Sequence, residues 1–229
     1  MRFPKGLDAT DFIGALTMAT IESIATEPPL RAVINNVPGF ILDWRKTTGA
    51  DQWDEMWEGV LHMAPSPNRQ HQKFEFRLEN WLESNWAIPN GCKVFHQINV
   101  SPGGTWTKNY RTPDLVLITP DRFHIDRNEY FEGAPAVVVE IHSPGDEAYE
   151  KLPFYAALGT PEVWIIDRDS KLPEIHVLEG GTYRLVEATA DGWFHSPLTD
   201  AQMRVVNPGK LTLRVAGDEA TRQELPDDA

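Results

Sequence analysis

The stretch "PAVVVEIHSPGDEAYEKLPFYAALGTPEVWIID", Pro135 to Asp167, decides the fold. Its first part, "AVVVEIH" (Ala136 to His142), is a dense β-branched run of the kind that forms a strand buried on both faces. "EVWIID" (Glu162 to Asp167) is a second such run, bounded by turn residues. Between them the pattern predicts a helix running to about Leu158 and closed by Gly159. Pro153 has no N–H and is tolerated only in a helix's first turn, which puts the start near Glu150. Strand, helix, strand within so few residues demands a parallel pair joined by a right-handed crossover.

Upstream lie two more strand-like runs, "KVFHQINV" (Lys93 to Val100) and "PDLVLIT" (Pro113 to Thr119), separated by the turn-rich "SPGGTWTKNYRT". Before them, "NRQHQKFEFRLENWLESNW" places Phe74, Leu78, Trp81 and Leu82 at helical spacing, with Asn68 or Ser66 as N-cap and "IPNG" as the stop. His71 stands three residues before Phe74, at the start of the same inward stripe. "WDEMWEGVLHM" (Trp53 to Met63) ends in alternation and reads as a strand entering the domain. Downstream, "EIHVLEGGTYRLVEA" and "GWFHSPLTDAQMRVVNPGKLTLRV" read as hairpins, the first pinned by Gly180 and Gly181.

The order is therefore strand, helix, three strands, helix, strand and β additions, a mixed α/β domain. Its expected bounds are residues 51–215. Residues 1–50 read as an N-terminal extension with one short helix around Asp11 to Ile24, and residues 216–229 as an acidic disordered tail.

Length and composition fit a single domain: 229 residues can bury a substantial core. No window offers the eighteen or so uninterrupted apolar residues of a membrane helix, and no long apolar stretch follows the basic residues at the N-terminus. Cys92 is the one cysteine, which excludes an intrachain disulfide and a cysteine-based zinc site and suits a reducing cytoplasm. The net charge of −13 runs against a polyanionic partner, which is ordinarily met by a basic surface. Carboxylates gathered around a metal would lower net charge without touching a phosphate-tracking groove. Arg45, Lys46, Arg69, Lys73, Lys108 and Arg111 are the basic residues available for a strand-binding face, with solvated surface as the alternative.

Two acids stand out by position. Asp114 opens the run "DLVLI" and Glu140 closes the run "VVVE", so antiparallel neighbouring strands would bring both carboxylates to one edge of the sheet. Paired carboxylates repel, and a hard divalent cation, Mg²⁺ or Mn²⁺, relieves the repulsion; the free carbonyl of Ile141 could complete its oxygen ligands.

"TPDLVLI", "VVVEIHSP" and "EKLPFYAALGTPEVWIID", together with "EGVLHMAPSPNRQHQ", resemble the Uma-two family of endonucleases, a branch of the PD-(D/E)XK restriction-endonuclease-like superfamily. The resemblance spans roughly Trp53 to Arg184. It implies a restriction-endonuclease-like core, a mixed sheet flanked by helices in the order α-β-β-β-α-β with additional C-terminal β-hairpins. It also implies a Mg²⁺- or Mn²⁺-dependent endonuclease acting on nucleic acid, DNA first, with Asp114 and Glu140 as metal-binding acids. The superfamily's lysine usually stands two residues after the glutamate. Here His142 holds that place, and the resemblance carries the lysine to Lys151 on the following helix, across a shorter segment than the family pattern. His71 falls in the family's "PSP…H" block and is carried over as an active-site residue. Val60 stands where many relatives have a second acid after the glycine, with Glu58 as the candidate substitute.

The alternatives keep a structural reading beside each residue. Asp114 could cap a strand, Lys151 could pair with Glu147 four residues earlier on a helix surface, and Tyr155 and Trp164 read as core. At the level of function, one alternative is a catalytically inactive nuclease-fold module that binds a partner or nucleic acid. Another is a transition-metal site built from His62, His71, His96 and His142. A homodimer is expected if the substrate is a duplex.

Overall fold

The computed structural model describes residues 32–64 and 66–226. The expected helix around Asp11 to Ile24 lies outside them. The described elements begin with β1 (Ala32–Ile34), helix α1 (Gly39–Thr48), β2 (Asp54–Trp57), β3 (Val60–Met63) and helix α2 (Arg69–Leu82). Then come β4 (Lys93–His96), β5 (Asn99–Ser101), β6 (Leu115–Ile118), β7 (Tyr130–Glu132) and β8 (Val137–His142). Helix α3 (Leu152–Leu158) leads into β9 (Glu162–Asp167), β10 (Pro173–Glu179) and β11 (Thr182–Leu185). The last four strands are β12 (Phe194–His195), β13 (Ala201–Val205), β14 (Leu211–Val215) and β15 (Asp218–Leu225).

The central sheet has six strands in the order β11-β10-β9-β8-β6-β4. Within it β8 and β9 are parallel, with Glu140 opposite Ile165, and every other pairing is antiparallel. The chain thus has a mixed α/β fold with a mixed sheet and few helices. The strand over Glu162–Asp167 and the Gly180–Gly181 hairpin stand where the sequence pattern puts them.

Alternation along the buried strands divides the core in two. Leu115, Leu117, Val137, Val139, Ile141, Trp164 and Ile166 face α2 and the four-stranded sheet β12-β13-β14-β15. Val116, Ile118, Val138, Val163 and Ile165 face the opposite side, against Phe154 and Tyr155 of α3. Each such aliphatic side chain, withdrawn from water, contributes about 1.5–3 kcal/mol.

Helix α2 starts as its sequence dictates. The Asn68 side chain accepts the His71 N–H at 3.0 Å, so Asn68 rather than Ser66 is the cap. The helix does not stop at Leu82: a π-helical turn, Glu83–Ala87, and a last turn, Ile88–Asn90, carry it to Gly91, whose φ of 63° ends it. Helix α3 is preceded by a 3₁₀ turn, Tyr149–Lys151, with Pro153 in the first α turn and Gly159 as the left-handed cap.

Four expectations are corrected. The run Trp53 to Met63 is a hairpin, reversing at Glu58 and Gly59, which have φ of 48° and 88°. The segment Lys93 to Val100 is split between the central sheet and a separate parallel pair of β5 with β7. Within the expected disordered tail, Asp218–Leu225 form β15, which pairs with β14 and buries Leu225 completely. Residues in the expected extension 1–50 also join the fold, since β1 pairs with β3 through Ala32 and Met63, and Arg45 of α1 binds Asp54 of β2 at 2.5 and 2.6 Å.

Candidate active site

Beyond the ends of β6 and β8 lies a cleft of about 570 Å³, lined by Glu55, His71, Asp114, Glu140 and Lys151 among others. Antiparallel register opposes Leu115 to Val139, so Asp114 and Glu140, the next residue on each side, arrive at the same edge. One oxygen of Asp114 accepts the Ile141 main-chain N–H at 2.6 Å and the other meets His71 Nε2 at 2.8 Å. Ile141, expected to offer its carbonyl to a metal, thus also touches the site through its N–H.

Glu140 is buried and both its oxygens are engaged. Tyr155 donates its hydroxyl to Oε1 at 2.7 Å, and Lys151 donates to Oε2 at 3.0 Å. The short segment from Glu140 to Lys151 reaches because the 3₁₀ turn points the lysine back over the sheet edge. Its ammonium also lies 2.8 Å from Glu55 Oε1. Tyr155 is therefore a core ring with its polar end on the site, whereas Trp164 is core and donates to Glu162. The surface pairing of Lys151 with Glu147 does not occur through side chains; Glu147 pairs with His62 at 2.9 Å.

Glu55 is the site acid that sequence reasoning missed. Besides Lys151 it accepts the Thr112 N–H at 2.9 Å and the Trp57 indole N–H at 2.7 Å. Glu58, the candidate substitute, instead points outward, with a side chain 68% exposed, and faces Arg111 at 3.6 Å. The signal that could have found Glu55 is the hairpin itself: folding the chain back at Glu58–Gly59 opposes Glu55 to His62 and brings both into the cleft.

Charge governs this pocket. Burial raises the pKa of Glu140; Lys151 opposes the rise, while Asp114 and Glu55 add to it. Burial works against the Lys151 proton, but Glu140 and Glu55 overcome that effect and hold the ammonium charged. One lysine thus serves two buried acids, Glu140 and Glu55, with Asp114 close by. Burial lowers the basicity of His71, and the Asp114 carboxylate more than restores it, so the net direction is upward. Glu75, one helical turn beyond His71, is pushed up to about 7 by burial and by Asp114.

The other candidates disperse. His142 faces Asp146 and Asp167, each at 3.6 Å, and not Glu140. His62, His71, His96 and His142 bind separate carboxylates and are not gathered into one cluster. Arg45 is committed to Asp54, and Arg111 is buried with its guanidinium 4.2 Å from the Trp57 ring and 4.1 Å from the Phe154 ring. Neither belongs to an open strand-binding face.

The Uma2 family profile, described as "Putative restriction endonuclease", matches residues 42–206, and the chain belongs to that family. Among solved structures it is similar to a protein from Anabaena variabilis ATCC 29413 described as "a putative nuclease belonging to DUF820". That likeness has a TM-score of 0.51 at 19% identity, over 63% of this chain and 81% of the other, and it speaks for the fold. No curated protein matches the chain.

Proposed function

We propose that this protein is a divalent-metal-dependent endonuclease that hydrolyses phosphodiester bonds of nucleic acid, with DNA as the expected substrate. The observation that carries the reading is the convergence of Asp114 and Glu140 at one sheet edge with Lys151 beside them. The donor set fits a hard cation: two buried carboxylates, Glu55 and Glu140, share one ammonium with Asp114 beside them, and oxygen ligands suit Mg²⁺ or Mn²⁺. Asp114 and Glu140 would hold the ion, with the Ile141 carbonyl as the proposed third oxygen. When bound, such an ion makes water more acidic and offsets charge on a phosphate oxygen.

The chain's own groups prepare the rest. The Ile141 N–H and His71 fix both oxygens of Asp114, so the carboxylate presents one orientation. Tyr155 does the same for Glu140 from beneath. Lys151, kept protonated, is placed to steady a phosphate oxygen or the attacking water as negative charge grows. Release of Lys151 from Glu55 or Glu140 toward substrate would leave those acids for the cation.

The test is nicking of supercoiled DNA by the purified full chain in Mg²⁺ or Mn²⁺. Activity should vanish with chelator and fall by about 10³-fold in Asp114→Ala and in Glu140→Ala. Cutting that persists in both variants would remove this site from the reaction. A second reading, an inactive nuclease-fold module, is favoured by the full engagement of Glu140 by Tyr155 and Lys151. Under it, no divalent ion binds and partner binding survives the double substitution.

A further inference from the structure

Two contacts join the β2–β3 hairpin to the segment between β8 and α3. Glu55 of β2 meets the Lys151 ammonium at 2.8 Å, and His62 of β3 meets Glu147. His62 Nδ1 lies 3.0 and 2.9 Å from the two oxygens of Glu147, and because a carboxylate only accepts, the imidazole donates there. Glu55 and His62 are directly opposite in the antiparallel register, so their side chains share one face of the hairpin. Glu147 stands four residues before Lys151, and its carbonyl accepts the Lys151 main-chain N–H at 3.3 Å. The two contacts are thus neighbouring rungs between the same two segments, with acid and base exchanged from one to the other.

Trp57 joins the two rungs. Its ring stacks on the His62 imidazole with centroids 4.0 Å apart and planes 12° from parallel, and its indole N–H donates to the second oxygen of Glu55 at 2.7 Å. The imidazole is therefore fixed in plane as well as by hydrogen bond. The side chains of His62 and Glu147 are 13% and 14% exposed, so their contact is shielded from water and holds more firmly than a surface pair. The lysine's own mount is slight by comparison: a single 3₁₀ turn, Tyr149–Lys151, with Pro153, which donates no main-chain N–H, soon after it.

We propose that His62 is a positioning residue: through Glu147 it holds the turn that carries Lys151 against the hairpin, so that the amine stays over the Asp114–Glu140 edge when substrate draws it off Glu55. The proposal rests on the proposed function for the use made of Lys151. Turnover pulls the ammonium toward a phosphate oxygen and loosens its contacts with Glu55 and Glu140. The His62–Glu147 rung does not involve the amine, so it persists through that step and keeps the turn docked.

The experiment compares nicking of supercoiled DNA by the full chain and its variants in Mn²⁺ over a range of substrate concentrations, with folding checked by circular dichroism. His62→Ala should lower kcat by about 10²-fold with KM nearly unchanged. His62→Asn, whose amide nitrogen stands where Nδ1 stood, should restore most of the rate. Because His62 acts through Lys151, adding His62→Ala to Lys151→Ala should cost nothing further. An unchanged kcat in His62→Ala, or a loss that multiplies with that of Lys151→Ala, overturns the proposal. Should His62→Ala fail to fold, Glu147→Ala breaks the same rung from its other side and carries the same expectations. A second readout needs no turnover: in ¹⁵N spectra of the metal-free chain, the Lys151 ammonium should give a slowly exchanging signal that persists in His62→Asn and is lost in His62→Ala. If the wild type does not nick and the signal behaves in this way, the proposed function fails and the positioning stands. If the wild type nicks and the signal is absent or is the same in all three chains, the positioning fails and the proposed function stands.

Discussion

The C-terminal layer and the cleft at the edge of the central sheet differ in what they bury. Toward the C-terminal sheet, Ala201, Met203, Leu211, Leu213 and Leu225 are fully enclosed and pack on α2 and on strands β8 and β9. At the cleft, the buried groups are Glu55, Glu140 and His71, with Glu75 one helical turn behind His71, held by a few directed bonds. Apolar burial is non-directional and favourable wherever water is excluded, whereas an enclosed carboxylate is favourable only if a partner stands at the right atom. The comparison teaches where each property resides: cohesion is lodged in the C-terminal layer, and the cleft trades cohesion for chemistry.

The largest effect should come from damaging the cohesive side. Leu213→Ala leaves a hole between the two sheets and should cost about 3–5 kcal/mol in urea denaturation, while metal binding by the folded fraction is unchanged. Should Leu213→Ala instead prove nearly neutral, the contrast between the regions would dissolve.

A smaller effect, of opposite character, is expected at the cleft. The Glu75 carboxyl, pushed up to about 7 from an ordinary 4.5, keeps its proton in the folded chain at pH values where the unfolded chain has released it. The Glu75 contribution to the stability of the metal-free protein should therefore be lost as pH rises from about 4.5 to 7. His71 has the same sign, since the stability from its charged form is present below 6.5 and is lost as pH rises through its higher folded value. Glu75→Gln should be about 2 kcal/mol more stable than wild type at pH 8 and equal to it near pH 4. Chelator-treated protein, unfolded in urea at several pH values, supplies the measurement.

The smallest predicted change probes the boundary between the regions. Tyr155→Phe keeps the ring in the core and deletes only the hydroxyl that orients Glu140. Stability should drop by about 1 kcal/mol, and nicking by about 10-fold. A variant that loses stability without activity would make Tyr155 a purely structural residue.

Much of this organisation was legible in the chain because it depends on pattern. Buried strands advertise themselves by β-branched density, as at Val137–Ile141 and Glu162–Ile166, and α2 by the spacing of Phe74, Leu78 and Trp81. The convergence of Asp114 and Glu140 followed from where those runs start and stop. Glu55 was missed because its hairpin turns on Glu58–Gly59, and a glutamate at φ 48° is not the Asn-Gly or Asp-Gly signal that announces such a reversal. β15 was missed for a related reason. Its residues "DEATRQEL" read as solvated charge, and a strand at the edge of a sheet can be polar along most of its length when one residue, Leu225, anchors it. Glu75 fell silent because a glutamate on a helix is ordinary until the fold places Asp114 beside it.

The Arg111 guanidinium lies between Trp57, two residues after Glu55, and Phe154, three residues after Lys151. A flat cation clamped between two rings resists sliding and tilting alike. The clamp therefore ties the hairpin that delivers an acid to the helix beside the amine, so that one cation braces both walls of the cleft.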